Sequence, residues 1–256
     1  MTEPPPYPAG RQILAGKRVL VTAAAGTGIG FATAKRCAEE GAVVAISDRH
    51  ERRLGESAQR LAEVMGSEPV AVACDVTVEA DVQRMFDTVG DIDVLVNNAG
   101  LGGTSLLADM TDQQWDAVVG VTLTGTMRCT REALRRFKSH GHGGAIVNNA
   151  SVIGWRAQEG QSHYAAAKAG VMALTRCAAV EAAADGVRVN AVAPSLAMHE
   201  NLAKVTTDEL LAELTSREAF GRAAEPWEVA NVIVFLASDY ASYLTGEVLS
   251  VSSQHP

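Results

Sequence analysis

Cysteine, basic charge and long apolar runs are all scarce in this sequence, and each shortage closes off a class of protein. The four cysteines, Cys37, Cys74, Cys129 and Cys177, lie far apart, with no CxxC pair and no metal-ligand spacing. Cys37, Cys129 and Cys177 fall in helix-like stretches, where a thiol serves as a small buried hydrophobe, as expected in a reducing cytoplasm. Acidic residues outnumber basic ones by 30 to 22, and the net charge of −8 argues against nucleic acid or an anionic membrane as partner. No uncharged apolar run approaches the ~20 residues that cross a bilayer. The N-terminal stretch carries Pro4, Pro5, Pro6 and Pro8 without the apolar segment of a signal peptide, so residues 1–15 are expected to form a flexible arm. His140 and His142 have no third ligand in sight, which suits a solvated turn rather than a metal. A G-x-S-x-G nucleophile elbow is missing, against an α/β-hydrolase. Gly10–Lys17 has one residue too many for a phosphate loop, and Arg18 stands where that loop needs Ser or Thr.

What is present is a regular alternation of strand-like and helix-like patterns from residue 18 onward, in a chain of 256 residues that a single domain can accommodate. Short apolar runs at Arg18–Thr22, Val43–Ser47, Val70–Ala73, Val94–Val96, Ala145–Asn148, Val187–Ala193 and Val248–Val251 read as buried strands. Helical patterns at Ile29–Glu40, Glu51–Met65, Val78–Val89, Thr111–Lys138, Ser162–Asp185 and Pro226–Ser238 separate them, with a break expected near Gly120–Gly125. Repeated βα units imply an α/β fold: a doubly wound parallel sheet with helices on both faces. Ligands of such sheets bind beyond the carboxyl ends of the strands, so chemistry-bearing motifs belong there.

Three motifs fall at those places. Thr22–Gly30 (TAAAGTGIG) joins the first strand to the first helix; its glycines allow a pyrophosphate close to the backbone, and the helix start offers free N–H groups. A glycine-rich turn with no ligand has the same appearance. Asp48 ends the second strand and can accept from an adenosine ribose while repelling a 2′-phosphate, which favours NAD; the neighbouring Arg49 could instead receive that phosphate. On the long helix, Tyr164 and Lys168 stand one turn apart on one face, where a cation would lower the phenol pKa and fit it for proton transfer. Ser151 follows the strand IVNN 13 residues before Tyr164, placed to hydrogen-bond a carbonyl oxygen or the alkoxide it becomes.

With Asp75 in CDVT, Asn97-Asn98-Ala99-Gly100 and the stretch Arg188–Pro194, these pieces resemble the short-chain dehydrogenase/reductase family over about residues 16–251. The resemblance implies a Rossmann-like, seven-stranded parallel sheet, a dinucleotide-binding and catalytic domain over residues 16–256, and a homotetramer or homodimer. It implies that Ser151 polarises the substrate oxygen, Tyr164 is the acid/base and Lys168 holds the nicotinamide ribose. Cofactor contacts are implied for Thr22, Gly26, Gly28, Ile29 and Gly30, for Asp48 and Arg49, for Asp75 beside the adenine with Val76, for Asn98, Ala99 and Gly100, and for Pro194, with Asn97 lying under the cofactor.

The chain also departs from the family pattern. Ala23 follows Thr22 where a glycine is usual, and the last loop glycine comes one residue late, so a one-residue expansion around Gly26 is expected. Thr122 replaces the asparagine that supports a proton-relay water; a threonine hydroxyl can still bond a nearby backbone carbonyl. Ser195 follows Pro194 in place of glycine, His199 stands where a threonine often contacts the carboxamide, and Ser252-Ser253-Gln254 replaces a DGG-like ending. Longer stretches, among them NNASVIGWRAQ and EAFGRAAEPWEVA, resemble an actinobacterial subgroup that acts on a hydroxy or keto group of a hydrindane carboxyl-CoA. The implied substrate is then a cyclic, steroid-derived CoA thioester, with 3-oxoacyl-thioester reduction as the rival and a catalytically retired nucleotide sensor as a reading from another class. Residues 195–222 would form a substrate lid whose Leu202, Val205, Leu210, Leu211, Leu214 and Phe220 either face a ring system or pack on the domain. Trp155, Arg156 and His199 are candidate substrate residues, Arg156 being suited to a phosphate or carboxylate if it is not merely a surface arginine.

Overall fold

The computed structural model describes residues 3–198 and 208–254. Its sheet has seven parallel strands: β1 (Arg18–Val21), β2 (Val43–Asp48), β3 (Val70–Ala73), β4 (Val94–Asn97), β5 (Gly144–Asn149), β6 (Val187–Pro194) and β7 (Val248–Val251), in the order β3-β2-β1-β4-β5-β6-β7. The chain winds outward one way from β1 and then the other way from β4, so a crevice opens where the order reverses. Helices α1 (Ile29–Glu39), α2 (Glu51–Met65), α3 (Glu79–Val89), α4 (Asp112–Val119), α5 (Thr126–His140), α6 (Ser162–Ala182), α7 (Asp208–Ser216) and α8 (Pro226–Ala237) connect them. One core joins α1, α2 and α8 to one sheet face through Phe31, Leu54, Leu61 and Ile233, and a second joins α3, α5 and α6 to the other through Met85, Phe86, Phe137 and Ala178.

Local chemistry explains where the elements stop. Gly66, Gly141 and Gly186 take left-handed backbone, with φ of 69°, 70° and 71°, where a side chain would be strained. Thr111 and Gln114 close a reciprocal capping box at the start of α4, and Pro226 opens α8 at a position that needs no N–H. The break expected near Gly120–Gly125 is a π-helical segment joining α4 to α5. At Gly125 a Cβ would lie 2.5 Å from Val76 Cγ2, so the bare backbone makes room for that valine.

Three expectations need correction. β3 is not a buried strand: Val70 and Ala71 are exposed, because β3 is the sheet edge and is covered on fewer sides. Cys177 is exposed on α6, whereas Cys37, Cys74 and Cys129 are buried; burial pushes the Cys37 and Cys74 thiols up to about 12. The N-terminal segment is tethered from Tyr7 onward rather than loose. The buried Arg36 guanidinium, paired with Glu40 at 2.5 Å, needs further acceptors and finds them in the Pro8 and Ala9 carbonyls. Tyr7 donates to Glu39, meets Trp227 edge-on at 5.3 Å, and has its phenol raised to about 12 by burial; Leu14 is fully buried.

Candidate active site

Thr22–Gly28 leaves the end of β1 and turns into α1. The buried Thr22 hydroxyl accepts from the Asn98 and Ala99 N–H groups at 3.0 and 3.2 Å, tying the ends of β1 and β4 together. Ala23, where the family has glycine, sits at φ +50°, and Gly26 at +98°. A Cβ on Gly30 would lie 2.3 Å from the Ala23 oxygen and 2.4 Å from Asn98 Nδ2, so a bare backbone is required there. Gly28 precedes α1 without any side-chain cap, and the half-buried Ile29 begins the helix, leaving the first-turn N–H groups open to an anion. Gly26 itself donates to Ser57 Oγ and accepts from Arg60, so the loop is held from α2.

Asp48 brings its carboxylate to this loop from the end of β2, accepting from Ala25 N at 3.2 Å and His50 N at 3.0 Å. Arg49 points outward and donates to the His50 ring. At the end of β3, Asp75 holds the next turn by accepting from Thr77 N and Thr77 Oγ1, beside the buried Val76. Asn97, expected to lie under the cofactor, spends its amide within the fold: its Nδ2 donates to Thr130 Oγ1 and Asn148 Oδ1, and Asn148 continues the chain to Thr175. Asn98 is the member of the pair that faces the glycine loop, donating to the Ala23 carbonyl at 3.0 Å.

Ser151 lies just beyond β5, its Oγ accepting from Ile153 N at 3.3 Å, and Tyr164 stands in the first turn of α6. One turn on, Lys168 is 3% exposed and its Nζ donates to the Asn149 carbonyl at 2.6 Å, 5.6 Å from the centre of the Tyr164 ring. Burial lowers the Lys168 ammonium to about 8. Burial also raises the Tyr164 phenol, opposed by the Ser151 hydrogen bond. The net direction for this phenol is upward, because loss of solvation outweighs the Ser151 contribution. Gly100 forms the floor beside these groups, since a Cβ there would come 3.5 Å from Lys168 Nζ and 3.9 Å from Thr122 Oγ1. Thr122 is fully buried on the π-helical segment; its hydroxyl accepts from Leu101 N and donates to Leu101 O, while its own carbonyl accepts from Thr126.

Asn149 links the two groups of residues. Its carbonyl holds Lys168, and its Nδ2 donates to Asn98 Oδ1 at 2.9 Å, so a hydrogen-bonded path runs from Lys168 to the glycine loop. Sequence reading missed Asn149, although two consecutive asparagines ending a buried strand are a polar signal that needs an explanation.

The substrate candidates divide. Trp155 is half exposed, and Arg156 donates to Gln254. Pro194 is buried at the end of β6, where Ser195 and Leu196 turn toward Glu218. Glu218, which sequence reading also missed, is 4% exposed and accepts from Ser195 Oγ, Leu196 N, Ser253 Oγ and Gln254 Nε2. Two of the noted departures from the family pattern, at Ser195 and at Ser252–Gln254, thus meet at one carboxylate. His199, Leu202 and Val205 lie outside the described residues, as do the side chains of Leu210 and Leu211. The exposed Phe220 follows Glu218 closely. A separate groove of about 410 Å³ lies between α5 and α6, lined by Met127, Leu134, Leu174 and Cys177 among others, and contains none of Ser151, Tyr164 or Lys168.

A family model described as enoyl-(acyl carrier protein) reductase matches residues 23–253, and the chain belongs to the short-chain dehydrogenase/reductase family. Among curated relatives, the (5R,7aS)-5-hydroxy-7a-methyl-1-oxo-2,3,5,6,7,7a-hexahydro-1H-indene-carboxyl-CoA reductase of Mycobacterium tuberculosis is 63% identical over 97% of this chain and 96% of its own. A cis-4-hydroxycyclohexanecarboxylate dehydrogenase of Sinomonas cyclohexanicum is 42% identical over 92% of this chain and 95% of its own. The crystal structure of a short chain dehydrogenase from Mycobacterium smegmatis is 58% identical, covers 99% of both chains and superposes with a TM-score of 0.87. The fold and family expected from the sequence are therefore those observed.

Proposed function

We propose that this protein interconverts a secondary alcohol and a ketone on a cyclic, steroid-derived acyl-CoA, with NAD as hydride carrier. The observation that carries this reading is the convergence of Ser151, Tyr164 and Lys168 at the end of β5, linked through Asn149 and Asn98 to a glycine loop whose Gly30 leaves no room for a side chain. The residues suit a dinucleotide: Gly30 keeps the loop open, the start of α1 offers N–H groups to a pyrophosphate, and Asp48 offers a carboxylate to an adenosine ribose. The M. tuberculosis and S. cyclohexanicum relatives, both named for ring substrates, support the cyclic substrate.

A nicotinamide held at this loop would supply or take the hydride. Ser151 donates a hydrogen bond to the substrate oxygen, and Tyr164 exchanges the proton at that oxygen. Because burial raises its pKa, the Tyr164 phenol rests protonated near neutral pH, ready to donate as a ketone is reduced. Lys168, anchored to the Asn149 carbonyl, has two further N–H donors for ribose hydroxyls. Thr122 braces Leu101 beside Gly100 and so shapes the floor of the site. Asp75, Val76, Asn98, Ala99 and Pro194 line the remaining cofactor cleft, with Thr22, Gly26, Gly28, Ile29 and Arg49 around its phosphate and ribose end. Self-association through the α5–α6 groove, as a dimer or tetramer, and a cytoplasmic setting for four unpaired cysteines complete the reading.

Nicotinamide absorbance tests it, with NADH and NADPH at equal concentration and a hydrindane carboxyl-CoA beside a linear 3-oxoacyl-CoA. Turnover of the ring substrate with NADH is expected. A strong NADPH preference sinks the cofactor reading, and preference for the linear thioester sinks the substrate reading. Cofactor binding without turnover of either substrate would point to a retired nucleotide sensor.

A further inference from the structure

Arg156, Gln254 and Glu218 form a line on the substrate side of the rim. β5, β6 and β7 are adjacent strands, and the segments leaving their carboxyl ends carry Arg156, Ser195 and Gln254. An arginine and a buried glutamate this near each other would ordinarily pair directly. Here a neutral glutamine stands between them. Its Oε1 accepts from Arg156 Nη1 and its Nε2 donates to Glu218 Oε1 at 2.7 Å. The orientation of that amide is settled by its neighbours, since the carboxylate can only accept and the guanidinium can only donate.

The arrangement separates the fates of the two charges. Glu218 is satisfied by four donors: Ser195 Oγ, Leu196 N, Ser253 Oγ and Gln254 Nε2. Arg156 has no acidic partner among the described residues and is hydrogen-bonded through one nitrogen only. Half-buried, it is aimed by Gln254 but not neutralised by it, and among the described residues only its Nη1 has a hydrogen-bond partner. A guanidinium held in place with no acidic partner among the described residues has the chemistry of an oxyanion receptor.

We infer that Arg156 is a substrate-anion subsite, aimed by Gln254 and Glu218, that takes a phosphate or carboxylate oxygen pair of the substrate. The inference rests on the reading of the substrate as a CoA thioester, whose phosphates are its obvious anions; a free ring carboxylate has the same chemistry. Arg156→Gln is compared with Arg156→Lys, using the CoA thioester, the N-acetylcysteamine thioester of the same acid, and the free acid with its hydroxyl or keto group intact. For Arg156→Gln, KM for the CoA thioester is expected to rise about 10- to 100-fold. Its kcat, its NADH affinity and its KM for the phosphate-free thioester should stay within about twofold, and Arg156→Lys should recover part of the loss. Added salt should raise KM for the CoA thioester in the parent protein and much less in Arg156→Gln. A KM rise confined to the free acid would assign the subsite to the ring carboxylate and still support an anion receptor. An unchanged KM for both anionic substrates overturns the inference, as does an equal loss with the phosphate-free thioester, which would mark a structural arginine. Should the parent protein turn over none of the three, the functional reading itself fails, a result distinct from an active parent with an indifferent Arg156.

Discussion

The two rims of the sheet's carboxyl edge are built by different means. On the cofactor side, around β1, β2 and β4, order comes mainly from backbone: Gly30 against the Ala23 carbonyl, Gly26 in left-handed space, and main-chain N–H groups received by Thr22 and Asp48. On the substrate side, around β5, β6 and β7, order comes from side chains that reach across the sequence to Glu218 and Gln254. Backbone order can serve one invariant ligand; side-chain order can be exchanged without altering the fold. The contrast suits an enzyme that keeps its cofactor and changes its substrate. Ser151, Tyr164 and Lys168 stand at the seam, and Asn149 stitches it.

Substitutions at the seam should be the most damaging. Tyr164→Phe removes the proposed proton donor and is expected to lower turnover by about 10³-fold or more while NADH affinity, read by fluorescence titration, stays within about twofold. Retained turnover would place the acid/base elsewhere. Lys168 offers a second probe through pH. Its folded pKa of about 8 lies below the usual 10.5, so between those values the unfolded chain binds more protons and stability must rise with pH. Across that window the parent protein should gain up to about 3 kcal/mol relative to Lys168→Met in chemical denaturation without cofactor. Parallel pH curves for the two proteins would show that the ammonium is not desolvated.

The next two substitutions separate the rims. Gly30→Ala pushes a methyl onto the Ala23 carbonyl, and NADH affinity should fall about 100-fold, with a stability loss of about 1–3 kcal/mol. An unchanged affinity would mean the loop yields and is not held by shape. Glu218→Gln keeps the volume but puts an NH2 group among donors, and kcat/KM for the thioester is expected to drop about tenfold with NADH affinity unmoved. If cofactor affinity fell equally, the two rims would be one cooperative unit and the contrast would fail.

The same division explains what the sequence made legible. Strand and helix positions came within three residues, because apolar runs and glycine stops are local signals, and the glycine loop with Tyr164 and Lys168 is equally local. Glu218 was invisible because its partners lie 22 to 36 residues away and its segment carries no periodicity. The exposure of β3 and Cys177 depends on which elements cover them, and the tethering of the N-terminal segment depends on Arg36 needing acceptors. In each case a tertiary neighbour decided the outcome. Thr122 was noticed as a departure, but its grip on Leu101 required the π-helical segment to be seen.

That segment changes the phase of one long helical run. In a regular α-helix each residue turns about 100°, so widening the coil at Gly120–Gly125 rotates everything before it relative to everything after. The first half can then present its side chains to α6 while the second presents a differently directed face to α3 and β4. Deleting one residue there would restore regular winding at the expense of that double allegiance: one half would have to swivel away from its neighbour, carrying Thr122 off the floor of the site. A rod that serves two walls at different angles needs a twist in its length, and the irregular turns provide it.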